Sequence, residues 1–547
     1  MANLPITFTC ALPATDLLFG SMAANQGLSF LDEIELNLYS AKPDLQAEAL
    51  LGKPALVTAT LYDAPDRYLG GIVMRFGMGA PQGRMHGYQA SIRPWLWFLT
   101  RTTDCRIFQD QSVPDIVSSV FGDHGGIARF RFKLFRSYRP RVYCVQYRET
   151  DFNFVARLLE EEGIYWYFEH TAAGPELILV DDVGALSPIS GEATLPFYGV
   201  SGQVPPGTEY IGAWSFSREV QTGSVALTSY DFERPSTSLA VDTSVPKAHS
   251  LADLEQFDYQ GDYTQRGDGQ QLSENRADEA ASRHERLSGS TNAQGMCSGG
   301  LFNLNRHPRE DQNAQFVCLA TRTSASVQAA ESGKTAGDWQ CSFSAMPASQ
   351  IFRPTRRTPK PFVQGPQTAV VVGPAGEEIY TDKYSRVKLQ FHWDRYGKKN
   401  EKSSCWVRVS SPWAGKSFGF MQVPRIGQEV VVDFLEGDPD QPLVTGRVYN
   451  AEQMPPWELP ANMTQSGVLS RSSKGGVYSN ANALRFEDKK GEEQLWLHAE
   501  KDQLTEVEHD EDKWVGNDRR KTIDRDETNH IKRDRTETVD RNEKITV

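Results

Sequence analysis

A β-branched apolar residue returns at every eighth position along the end of this chain: Val507, Val515, Ile523, Ile531, Val539 and Val547. Three residues after each of the first five stands a short polar residue: Asp510, Asp518, Asp526, Asp534 and Asn542. Almost everything between is Lys, Arg, Asp, Glu or Thr. In a helix a step of eight overshoots two turns by roughly 80°, so the apolar residues would spiral around the axis. Eight is even, and a strand alternates its faces with period two, so an extended chain can turn the whole column to one side. The recurrent Asp/Asn suits a turn that closes each octad. One buried Val or Ile contributes about 1.5–3 kcal/mol, whereas ordering eight residues costs on the order of 1–2 kcal/mol each. One copy therefore cannot hold this structure. Several copies must wind together with the column on a shared axis, and three-fold intertwining is the natural closed solution for a slender prism. Composition alone reads as a solvated, disordered charged tail; two residue columns in register argue against it.

The 547 residues predict several domains. Hydrophobic residues make up 39%, with 27 Phe, 19 Tyr and 11 Trp, enough for β-rich cores. A net charge of -13 opposes nucleic acid as a partner, since phosphate binding needs a basic surface. The seven cysteines (Cys10, Cys105, Cys144, Cys297, Cys318, Cys341, Cys405) are scattered and form no CxxC. That pattern fits a reduced, cytosolic folding compartment and offers no zinc framework. The N-terminus has no Lys or Arg before its apolar residues and contains Asp16, so no general-export signal is expected, and no stretch is long and apolar enough to span a membrane.

Up to about residue 145 the chain reads as short strands, for example IELNLYSA (34–41), PALVTATLY (54–62) and GGIVMRF (70–76). Trp95, Trp97 and Phe98 read as core or interface. Ser112 followed by VPDIVSSVFG predicts a capped helix ending at Gly122. Thr150 caps a second over DFNFVARLLEEE with Gly163 as its stop, and a strand IYWYFEH follows. The run Glu160–Glu162 reads as a solvated helix end without chemistry. A third helix is expected over 272–287, after an Arg266-Gly267-Asp268 tripeptide too short to carry meaning. Two strands follow within 297–323, and the basic, Pro-rich stretch Phe352–Pro366 reads as a linker.

From 367 to 450 strands become dense, with turns at Gly373-Pro374, Tyr396-Gly397 and Gly437-Asp438-Pro439. That is the rhythm of a small closed barrel such as an OB-fold. Phe391, Trp393, Trp406 and Trp413 could stack on bases or sugars, but packing is the commoner use, and the acidic EGDPDQ loop opposes phosphate. A Pro-rich joint at 454–460 leads through a polar stretch to a hairpin over 482–499. It sets Leu484 and Phe486 against Leu495 and Leu497.

The runs YTDKYSRVKLQFHWDRYG (380–397) and SCWVRVSSPWAGKSFGFMQVPRIGQEVVVDFLEGDPDQPLVTGRVYN (404–450) resemble the VgrG spike proteins of bacterial type VI secretion systems. So do the 482–502 hairpin, the octads, and TDFNFVARLLEEEGIYWYFEH. The resemblance implies a mainly β protein with minor α, built like fused hub and needle proteins of contractile phage tails. A phage-hub-like domain of two barrel-like parts would cover 1–360, an OB-fold 365–452, a linker 453–481, and a hairpin with a triple-stranded β-helix needle 482–547. It further implies a homotrimer whose needle core is Val507, Val515, Ile523, Ile531 and Val539. The octad turns would fall at Asp510, Asp518, Asp526, Asp534 and Asn542. The OB-fold motif corresponds to Phe391, His392, Trp393, Asp394, Trp406, Trp413 and Gly427. Such a spike joins the baseplate, caps a tube of Hcp hexamers, is tipped by a PAAR-repeat protein and carries effectors, with their adaptors, into target cells. It would be assembled in the cytoplasm, secreted by the type VI system, and driven across the target membrane mechanically.

No cofactor or metal site is expected. Phage needle proteins of this kind carry a lysozyme between OB-fold and β-helix; here about 451–481 is too short for a folded cleft with two placed carboxylates. HExxH, GxSxG and phosphate-binding loops are absent from the sequence. His392 and Asp394, two apart in an expected strand, could share a face and mimic a dyad, but packing is the preferred reading. Two rival readings are a hydrolase hidden in the hub or in a C-terminal effector, and an OB module binding sugar or nucleic acid. Val547 falls on the octad's apolar position without a capping sequence, so the expectation is that the natural protein continues or that this sequence is a piece cut from a longer one.

Overall fold

The computed structural model describes residues 6–60, 65–199, 203–259, 261–329 and 335–547. The chain divides into two units, Met1–Met454 and Pro455–Val547.

Most of the first unit is organised by one continuous sheet, 12-stranded among the described residues. Six strands form its first half: Ile6–Thr9, Pro54–Ala59, Arg67–Gln82, Met85–Arg93, Glu33–Ser40 and Leu18–Gly27. The alternation in IELNLYS places Ile34, Leu36 and Leu38 inside, with Leu69, Val73, Tyr88 and Ile92 packed against them. Leu61 and Tyr62, the end of the strand expected over 54–62, lie outside the described residues. The second half comprises Gln315–Ala329, Thr335–Pro347, Glu285–Thr291 and Ile211–Arg218, with Leu301–Asn305 and Thr194–Pro196 alongside. Its own core includes Phe302, Phe316 and Phe343. The halves join where Leu18–Gly27 pairs with Gln315–Ala329, Gly27 opposite Ala320 and Ser21 opposite Ser326.

Two helices build a separate core. Helix α1, Val113–Gly122, opens with a reciprocal capping box between Ser112 and Asp115. Helix α2, Asp151–Glu162, is capped by the Thr150 hydroxyl and stopped by Gly163 at φ +72°. Both bury their apolar stripes against Trp95, Leu99, Trp166 and Leu179. Helix α3 spans Arg266–Arg283, beginning earlier than 272 and ending before Glu285, which opens a strand. Two glycines in its first turn hid that start. Gly269 is required there, because a Cβ would meet the Tyr263 ring at 2.4 Å. Helix α3 packs on a small sheet of Ser224–Thr228, Val241–Ser244 and Glu255–Tyr259.

The last part of the unit is a five-stranded sheet: Lys388–Phe391, Gln367–Val372, Glu429–Phe434, Pro442–Val448 and Arg408–Val409. It closes over Val371, Leu389, Phe391, Val430, Val432 and Val444.

The stretch Phe352–Pro366 is a strap, not a free linker. Phe352 enters a hub core and Val363 the OB core. Between them the Arg356 guanidinium donates to Glu279 at 3.1 Å, and the backbone N–H groups of Arg357 and Thr358 donate to Glu160 at 3.0 Å. The acidic end of α2 is therefore not a solvated face. Glu160 receives the strap, while Glu161 and Glu162 pair with buried Arg141 at 3.1 and 2.8 Å. Burial opposes the charge on Glu161, but the cations of Arg141 and Lys360 outweigh it and hold its carboxyl down at about 2. A lowered carboxylate stabilises the fold above its ordinary value, and that stability is lost as pH falls through the lowered one. The melting temperature of the first unit is thus expected to fall progressively between about pH 4.5 and 2. The Glu161→Gln variant should show a shallower acid limb in calorimetry; an acid limb unchanged by the substitution would refute this assignment.

Candidate assembly surfaces

The second unit begins with a three-stranded sheet, Gln465–Leu469, Ala483–Glu487 and Gln494–His498. Its hairpin pairs Leu484 with Leu497 and Phe486 with Leu495, while Val468 stands opposite Leu484. Cross-strand partners share a face, so these five apolar side chains form one surface. All are exposed in the single chain. On the opposite face the Arg485 guanidinium lies 4.9 Å from the Trp496 ring, which stacks on His498. The first strand was hidden in the stretch read as a linker; TQSGVL is too polar and Gly-containing to signal a strand without its partner.

Glu500 closes the sheet, accepting from Asn480 at 2.7 Å while its own N–H donates to Asn482. Beyond it the chain is extended and forms no strand ladder with its own residues over 501–547. The backbone bends at 508–509, 516–517, 524–525, 532–533 and 540–541, a period of eight. Each bend follows directly on Val507, Val515, Ile523, Ile531 or Val539. Asp510, Asp518, Asp526, Asp534 and Asn542 come immediately after the bends, at the start of the next extended run. The five apolar residues share a narrow range of exposure, 42–50%, and Trp514 beside them is 91% exposed. Side-chain ion pairs such as Lys513–Glu511 at 2.8 Å and Arg535–Glu537 at 2.7 Å run along the polar part. Backbone groups in this run can be satisfied only by water or by strands from other chains. A half-exposed apolar residue in every octad favours the strands.

In the OB domain the motif residues do separate jobs. Phe391 is core. Trp393 stacks on Phe391, meets Tyr147 of the hub edge-on at 5.7 Å, and donates its indole N–H to Gln367, which donates to the Tyr147 hydroxyl. Trp406 lies against Tyr380 with the Lys388 ammonium 4.9 Å from its ring. Gly427 takes φ +89° in the turn before Glu429, a conformation costly for any side chain. Trp413 is exposed on a hairpin. His392 and Asp394 do not share a face: the strand ends at Phe391, His392 points outward onto Thr368, and Asp394 is buried. The Asp394 carboxylate accepts the N–H groups of Tyr396 and Gly397 at 3.0 Å. It is a turn-capping residue. Period two fails there because the chain turns one residue earlier than the pattern implied.

The joint between hub and OB domain is polar and dense. Asp104 accepts from the Tyr396 hydroxyl at 2.6 Å and from Arg395 at 2.8 Å. The backbone N–H of Val145 donates to Asp440 at 2.6 Å. Lys360 sits between Asp438 at 2.7 Å and Asp440 at 2.8 Å, with Asp262 at 3.7 Å. Sequence reading placed Tyr396 and Asp438 only in turns and missed these pairings, since the partners lie up to nearly three hundred positions apart.

Two His–carboxylate pairs, one buried and one half-buried, resemble catalytic dyads. His170 Nε2 lies 3.1 Å from Asp32, and its Nδ1 accepts the Gly70 N–H. His124 lies 3.3 Å from Asp151, a carboxylate also held by Gln146 and Arg106. The first ties the strand Tyr165–Thr171 to Arg67–Gln82 and to the turn before Glu33; the second joins the end of α1 to the first residue of α2. Burial pushes the thiols of Cys144 and Cys405 up to about 12, away from nucleophilic use. No group of three or more metal-ligating side chains converges among the described residues. No helix among them is long and apolar enough to cross a membrane.

A hub built on one continuous sheet, joined to an OB-fold and an unpaired repeating strand, defines a phage-tail-type hub and spike. The family model for the phage tail baseplate hub matches residues 25–329. That for the type VI secretion system/phage-baseplate injector OB domain matches 369–449. The bacteriophage T4 gp5 C-terminal trimerisation domain matches 466–547. The chain is 51% identical over 495 residues to the spike protein VgrG1b of Pseudomonas aeruginosa, covering 89% of this chain and 66% of that one. It is 47% identical over 515 residues to VgrG1a of the same organism, covering 93% and 79%. An Escherichia coli type VI secretion component, with structural similarity to T4 tail proteins gp27 and gp5, superposes with a TM-score of 0.58 at 19% identity, over 81% of this chain and 100% of that one. A chain of a Francisella PdpA–VgrG complex gives 0.54 at 9% identity, over 88% and 76%. The chain belongs to the VgrG family of type VI secretion system spike proteins. It spans about two thirds of the length of VgrG1b.

Proposed function

We propose that this chain works as a homotrimeric puncturing spike that acts by geometry. The observation that carries the reading is the half-exposed Val/Ile column, one residue per bend, on a strand with no ladder in its own chain. Wound with two further copies, it closes into a prism with a dry axis and a charged exterior, narrow and stiff enough to concentrate force. The tightly bonded hub and OB domain form the body that transmits the load. In this reading the trimer caps a tube of Hcp hexamers and carries a PAAR-repeat tip and effectors into target cells, leaving the donor through the type VI system. The Francisella PdpA–VgrG complex supports partner carriage by this kind of fold. No enzymatic role is assigned: every buried acid–base pair described above serves packing. Mixed with Hcp hexamers, the purified full chain is expected to cap tube ends in electron micrographs as three copies per end. Tubes left uncapped at saturating chain would contradict the capping role.

A further inference from the structure

A hairpin projects from the OB domain with its apolar residues outward. Phe420 N–H donates to the Trp413 carbonyl and Gly415 N–H to that of Phe418, closing a tight loop over 413–420. Gly419 is required at φ +142°, where a Cβ would lie 2.5 Å from the Trp413 oxygen. Trp413 and Phe418 meet edge-on at 5.6 Å, so the tip is ordered by its own rings. Yet Trp413 is 63% exposed and Met421 77%, with Phe418 and Phe420 also open to solvent. Four large apolar side chains on one protrusion, with no covering element among the described residues, mark a contact surface.

Its position in the fold identifies the occupant. The hairpin leaves beside Val444, where Ser410 N–H donates to that carbonyl, and returns at Gln422, which accepts from Arg447 at 2.7 Å. Both roots therefore lie on the strand Pro442–Val448, whose continuation ends the first unit at Met454. Residues 455–465, at most roughly 38 Å when fully extended, then lead into the segment matching a trimerisation domain. Three OB domains tethered so closely see each other at an effective concentration in the mM range, enough for modest apolar contacts to form. A three-fold ring also needs two different faces per copy. The OB domain supplies a second exposed apolar patch, Phe362 against Gly437 with Leu435 in the same turn.

We propose that the hairpin carrying Trp413, Phe418, Phe420 and Met421 is a clasp that docks onto the OB domain of a second copy of this chain. This rests on the trimeric reading above and adds a contact outside the needle. The test is hydroxyl-radical oxidation of Trp413 and Met421 in the purified full chain, with light-scattering mass measured on the same sample. The chain unfolded in denaturant supplies the fully exposed rates. Docking predicts a trimer mass with both residues oxidised about tenfold more slowly than in the unfolded chain. A trimer whose Trp413 and Met421 react within about twofold of the unfolded rate overturns the clasp and leaves the trimer standing. A monomer mass overturns both.

Discussion

Replacing Ile523 and Ile531 together by Asp is expected to abolish the trimer while leaving residues 6–454 folded. In a three-chain prism the pair becomes six side chains on one axis. Burying each contributes about 1.5–3 kcal/mol, so on the order of 9–18 kcal/mol of apolar burial is lost per assembly. The six carboxylates would be confined to a column with no cation facing it, which costs more than the burial alone. The ion pairs along the polar part, such as Arg535–Glu537, are exposed and contribute little in compensation. Measured by heat and protease challenge, the wild-type tail should resist and the double variant should be trimmed back to the first unit. Unchanged resistance of residues 482–547 would sink the axial assignment.

The Lys360→Met variant carries the second large effect, at the hub–OB joint. The Lys360 ammonium holds Asp438 and Asp440 within 2.8 Å and draws in Asp262. Burial acts against its charge, but these three carboxylates and Glu161 outweigh it and keep it protonated well above the ordinary lysine range. Burial, and then the Asp440 charge, push the Asp438 carboxyl up to about 7. A carboxyl raised in the folded state stabilises it while protonated, and that contribution is lost as pH rises through the raised value. Without the cation the joint is expected to weaken by about 3–5 kcal/mol, the cost of leaving buried charge unpaired. The deficit should be larger at pH 8.5 than at pH 5.5, and Asp438→Asn in the same chain should recover part of it. Urea unfolding of the first unit at the two pH values, with proteolysis across 352–366, reads both quantities. A deficit independent of pH would mean Asp438 does not titrate at the joint.

The fold was legible wherever one residue pattern determines one structure. Alternation in 34–40, the Ser112 and Thr150 caps, and the 482–499 hairpin each encode their element within a few residues, and the structure builds them there. The octads were legible for a different reason: the column is meaningless for one chain and consistent only for several. What sequence concealed was long-range complementarity. The acids at 160–162 read as a solvated helix end and 352–366 as a linker, yet Glu160 holds the strap at Arg357 and Thr358 while Glu161 pairs with Arg141. Trp393 read as barrel packing, and it also reaches Tyr147. His392 and Asp394 misled because an early turn cancels the strand period on which the shared face depended.

The most direct test of the central claim is the solution mass of the full chain by light scattering, beside that of a chain truncated at residue 480. A three-fold spike predicts three chain masses for the full protein, and a trimer that weakens or dissociates once the hairpin and octads are removed. A full-length monomer whose tail is rapidly digested would contradict it.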